Sequence, residues 1–146
     1  MRSAIALYVL GVAACGSKGK DHMQAIADRV NPVIAQLQSP ATTVLDPQKK
    51  TDWNAVTSAC VAGIAVAKPL AAVDFKDEFA GNDRQVGIND VMFMFSHDAP
   101  TYCPETHRDA ACADWCISTY GELADAVDRL RAQAAKENVQ IAPLRR

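Results

Sequence analysis

The sequence predicts an all-α protein, an up-and-down bundle of three or four helices cross-linked by disulfides. Three observations carry this expectation. Apolar residues recur at three- and four-residue steps through two long stretches, 23–37 and 112–134. Alanine is abundant while aromatic residues make up only 6%, which suits helices in close contact better than a sheet. Cys60, Cys103, Cys112 and Cys116 form an even set, with Cys112 and Cys116 on the second of those stretches. A chain of 146 residues, 49% apolar and 22% charged, is enough for one globular core and is not a disordered composition. Its formal charge of −2, with no basic stripe, speaks against nucleic acid as a partner.

The N-terminus has the layout of a targeting segment. Arg2 supplies the positive charge, Ala4 to Val12 the apolar run, and Ala13-Ala14 the small residues of a cleavage site. The run is far shorter than the roughly 20 residues a membrane-spanning helix needs. Val12-Ala13-Ala14-Cys15 resembles the lipobox of bacterial lipoproteins, and the resemblance covers residues 1–15 only. It implies removal of residues 1–14, a diacylglyceryl group on the Cys15 thiol and an acylated Cys15 amine. It also implies residence on the exported side of the cell membrane or outer membrane, with the membrane as partner through the lipid. Gly16, rather than aspartate, after the cysteine resembles outer-membrane sorting in enteric bacteria.

Gly16 to Lys20 reads as a short flexible tether, reaching under about 20 Å when extended. Residues 21–146 then read as a single domain. Asp21 is an expected N-cap, followed by a stripe of Met23, Ile26, Val30, Val33, Ile34 and Leu37. Pro32 predicts a kink or break near Arg29 to Asn31, and Ser39-Pro40 an end, with Ala41 to Leu45 as loop. Asp46-Pro47 reads as an N-cap with proline at the first helical position. That helix carries Trp53, Val56, Cys60, Ile64 and Ala67 on its stripe and stops before Pro69. Leu70 to Phe79 predicts a shorter helix ended by Gly81-Asn82. Val91 to Phe95 reads as a helical turn or extended loop pressed on the bundle. The last helix is expected from about Glu105 to Lys136, with Cys112, Cys116, Thr119, Leu123, Val127, Leu130 and Ala134 on one face. Asn138 is its expected cap, and Val139 to Arg146 reads as a frayed tail.

In an exported chain, four cysteines point to two disulfides. Cys112 and Cys116 lie one turn apart, and a direct bond between them would strain the helix. The favoured pairing is Cys60–Cys116 with Cys103–Cys112, and the swapped arrangement remains open. The competing reading is metal: Cys103, His107, Cys112 and Cys116 have the ligand types of a Cys3His zinc site, although their spacing matches no standard finger. A weaker alternative joins His97, Asp98 and His107 in a surface metal pocket. Covalent haem needs Cys-x-x-Cys-His, and Cys116 is followed by Ile117. A non-covalent haem pair such as Met23 with His107 is a remote option, and no cofactor is expected.

No nucleophile elbow, His-Glu-x-x-His, Ser-x-x-Lys or phosphate-cradling loop occurs. Carboxylate pairs such as Glu78 with Asp83, or Asp77 with Asp90, arise readily by chance among 17 acidic residues. The functional expectation is a lipid-anchored, non-catalytic binding or scaffolding module of the cell envelope. Its partner would be an envelope protein or a small ligand. The alternatives are a ligand or metal binder using the Met92 to His107 region and, further off, a hydrolase without a recognisable motif.

Overall fold

The computed structural model describes residues 16–67, 97–104 and 108–144, which form four helices and no strand. They are α1 (Gly16–Leu45), α2 (Trp53–Ala67), α3 (Ala99–Tyr102) and α4 (Ala110–Lys136). The architecture is an all-α bundle with two disulfides. α1 runs against the other two long helices. Gly19 near its start meets the Glu137 side chain just past α4, while Pro40 near its end meets Gly63 of α2. The expected helix over Leu70 to Phe79 and the Val91 to Phe95 segment lie outside the described residues.

α1 differs most from expectation. It already includes Gly16 to Lys20, in place of a flexible tether, so Asp21 does not start it. It also passes through both Pro32 and Pro40 and takes in residues 41–45. Each proline removes one main-chain hydrogen bond and costs about 3 kcal/mol in an isolated helix. The apolar stripe nevertheless continues past both, with Val33, Ile34, Leu37, Ala41 and Val44 buried. Burying each large side chain stabilises by about 1.5–3 kcal/mol, so tertiary packing outweighs the local penalty. Packing wins.

Asp46-Pro47 makes a turn rather than a helix start. The Asp46 carboxylate accepts from Gln48 N at 2.9 Å, and its carbonyl accepts from Lys49 N at 3.0 Å. α2 begins later, with the Asp52 carboxylate accepting from Ala55 N at 3.1 Å as a side-chain cap. Trp53, expected on the buried stripe, is 50% exposed because it sits in the first turn, at the edge of the bundle. Thr57 is fully buried, and its hydroxyl donates to the Trp53 carbonyl at 2.7 Å. That bond satisfies the hydroxyl inside the helix's own backbone.

α4 starts at Ala110, later than the expected Glu105 region. Asp109 caps it, accepting from Ala111 N and Cys112 N, both at 3.1 Å. The expected stripe from Cys112 to Ala134 is buried. Beyond Lys136, Asn138 takes φ 56°. Around it, Val139 N bonds Ala134 O at 2.9 Å and Asn138 N bonds Ala135 O at 3.1 Å. This pair of reverse bonds around a left-handed residue is how helices end and turn back.

The residues that follow are ordered against the bundle, which corrects the expected frayed tail. Val139, Ile141 and Leu144 are buried in the core. Asn31 of α1 donates to Gln140 O at 3.1 Å and accepts from Ala142 N at 2.8 Å. Arg131 of α4 donates from Nε to Ile141 O at 3.2 Å, and Gln38 of α1 donates to Pro143 O. Residues 139–144 form a strap tying α1 to α4.

At Gly63, α2 leaves room for the side chain of Tyr120 from α4. A Cβ at that position would collide with the Tyr120 hydroxyl and lie 2.9 Å from its Cζ. Tyr120 is fully buried, its hydroxyl donates to Cys60 O at 3.4 Å, and burial pushes its pKa well above the usual phenol value. Gly63→Ala is therefore expected to cost about 1–3 kcal/mol by overpacking. Tyr120→Phe in the same chain should recover part of that loss in urea unfolding. Gly121 is the contrast, because a Cβ there would meet no atom within 4 Å. Gly121→Ala should stabilise by up to about 1 kcal/mol through helix propensity alone.

Candidate functional site

The chemistry-bearing residues that the fold brings together lie near the N-terminal end of α4. Cys60 of α2 is bonded to Cys116 of α4, with Cα atoms 5.9 Å apart. Cys103, at the end of α3, is bonded to Cys112 of α4, with Cα atoms 4.7 Å apart. One turn separates Cys112 from Cys116, so both point from α4 toward different neighbours. The two bridges touch: Cys103 Sγ lies 3.5 Å from Cys116 Sγ. The sulfurs of Cys60, Cys103 and Cys116 all lie within 4.8 Å of one another. While bridged, they offer no thiolate to a metal.

Beside the bridges is an aromatic pair that periodicity does not reveal. Tyr102, 54% exposed, stacks on the half-buried Trp115 with ring centroids 6.1 Å apart and planes 12° apart. Its position follows from covalent geometry. Tyr102 precedes Cys103, Trp115 lies three residues after Cys112, and the Cys103–Cys112 bond draws the two together. The one signal in the sequence is the spacing of these aromatic residues from the cysteines.

His97 and Asp98 lead into α3, and His97 Nδ1 lies 2.9 Å from Asp98 Oδ1. The His97 side chain is 69% exposed. His107, Cys15, Glu78, Asp83, Asp77 and Asp90 lie outside the described residues, as does the Met92 to Phe95 run. Two grooves flank the strap. One of about 710 Å³ is lined by Ala35, Gln38, Thr42 and Pro143 among others, all uncharged. One of about 550 Å³ holds Asn31 and Arg131. Among the described residues, neither is lined by an acid, a histidine or a cysteine. Among the described residues, no helix is long and apolar enough to cross a membrane.

No protein-family model matches this chain, and neither the curated proteins nor the solved structures give a significant match.

Proposed function

We propose that the chain is a lipid-anchored protein of the bacterial cell envelope, held at Cys15, whose helical domain is a non-catalytic binding module. The observation that carries the binding reading is the Tyr102–Trp115 stack. Large aromatic side chains dominate the energetics of protein interfaces, and a pre-ordered pair loses little freedom on binding. The Cys103–Cys112 bond holds this pair in place before any partner arrives. An envelope protein is the favoured partner. Support for the address comes from the leader pattern of residues 1–15 and from two disulfides, which suit an oxidising compartment.

The test uses the full chain with its own leader, cross-linked in bacterial membranes. Tyr102→Ala with Trp115→Ala should lower recovery of a cross-linked partner at least about tenfold, as loss of an interface anchor does. Because Trp115 also packs against the core, Tyr102→Ala alone is the variant expected to keep the melting temperature near wild type while still lowering recovery. Cys15→Ser should move the protein from the detergent phase to the aqueous phase. Unchanged recovery would remove the aromatic surface as the binding site, and unchanged partitioning would remove the anchor. The His97–Asp98 contact favours a second reading, metal binding in the Met92 to His107 region. Carboxylates orient metal-binding imidazoles in this way. Zinc binding lost in His97→Ala would support it.

A further inference from the structure

We propose that the two disulfides form one exchange unit, in which Cys103, once released from Cys112, bonds Cys116 and frees Cys60 as a thiol. The inference rests on the sulfur geometry and is independent of the binding reading. Thiol–disulfide exchange needs a thiolate that reaches a disulfide sulfur in line with the bond it breaks, so a released Cys103 must swing from its resting place beside Cys116 onto the Cys116–Cys60 axis. Cys103 Sγ already touches Cys116 Sγ at 3.5 Å. Cys112 Sγ lies outside the trio of mutually close sulfurs formed by Cys60, Cys103 and Cys116.

The surroundings separate the four cysteines in the same way. Cys60, Cys112 and Cys116 sit within long helices and are fully buried. Cys103 caps the four-residue α3 and is the most exposed of the set at 7%. Its segment is the shortest of the three that carry cysteines. A reductant therefore enters at the Cys103–Cys112 bridge.

The electrons balance with an external dithiol as reductant. The dithiol is oxidised to its disulfide, and Cys103 and Cys112 become thiols. Cys103 then loses its proton, and its thiolate attacks Cys116. The Cys103–Cys116 bond forms, the Cys60–Cys116 bond breaks, and Cys60 leaves as a thiolate that takes up a proton. The second step is electron-neutral. Its result removes the covalent link between α2 and α4 and passes the reduction from the bundle's edge to its core.

The first measurement uses full-length Cys112→Ser, which carries a Cys103 thiol without any added reductant. After acid quench, unfolding and alkylation, peptide mapping should find the label shifted from Cys103 to Cys60, with a Cys103–Cys116 cross-link. The shift should be faster at higher pH, because the thiolate is the nucleophile. Label confined to Cys103, with Cys60–Cys116 intact, would overturn the proposal. Cys103→Ser controls for general scrambling and should keep its label at Cys112. Label at Cys60 in that variant would remove the special role of Cys103. Wild type treated with one equivalent of dithiothreitol gives an answer that does not depend on any variant folding. Label at Cys60 and Cys112 supports exchange, and label at Cys103 and Cys112 alone refutes it.

Discussion

Replacing Cys60 and Cys116 together by alanine should lower the unfolding free energy by about 4 kcal/mol, against about 2.5 kcal/mol for Cys103 with Cys112. The difference comes from the unfolded chain. The first bridge spans a sequence separation of 56 and the second a separation of 9. Closing the longer loop removes more freedom from the denatured ensemble. Against a total stability of about 5–15 kcal/mol for an ordinary domain, the larger loss approaches unfolding. Urea denaturation of both double variants under non-reducing conditions measures it. Equal losses, or the reverse order, would show that packing around the sulfurs outweighs loop closure.

Ile141→Ala should cost about 2–4 kcal/mol, the range for truncating a buried aliphatic side chain. A frayed tail would show no such effect. Ile141 is buried between Val139 and Leu144 on the strap, and the Ile141 carbonyl accepts from Arg131. Asn31→Ala should cost about 1–2 kcal/mol, because its side chain makes two main-chain bonds to the same segment. The two substitutions loosen one element, so their combination should fall short of the sum. Hydrogen exchange at residues 139–142 reports the release directly. Full protection retained in Ile141→Ala would mean the polar bonds alone hold the strap.

The α4 stripe is legible in the sequence because its core positions follow a helical period and Asn138 marks the turn past its end, whereas its start at the Asp109 cap lies later than the expected Glu105 region. The cysteine arrangement is legible only in part: placement one turn apart on α4 disfavours a direct Cys112–Cys116 bond, but the choice between the two remaining pairings comes from the structure. The unbroken α1 is not legible. Pro32 and Pro40 signal a stop locally, and only the neighbours that bury Val33 to Val44 override it. Asp46-Pro47 misleads because a turn and a helix cap use the same residues, and only the later Asp52 cap separates them. The strap leaves a faint trace in the alternation of Val139 and Ile141 with polar or small residues, a period of two at the end of a helical chain. Tyr102 and Trp115 meet across a disulfide, a contact that no periodicity encodes.

The meeting of Gly19 with Glu137 puts the start of α1 beside the end of α4. α1 is already helical at Gly16, so a lipid on Cys15 would join a rod and not a slack cord. The C-terminal end of α4 lies beside that foot, and Trp115 lies near the opposite end. At about 1.5 Å of rise per residue, the aromatic pair stands roughly 30 Å from the foot. That distance is comparable to the thickness of a bilayer's hydrocarbon core. If the proposed anchor at Cys15 and the proposed aromatic binding surface both hold, helix length in place of linker length would set the distance between them.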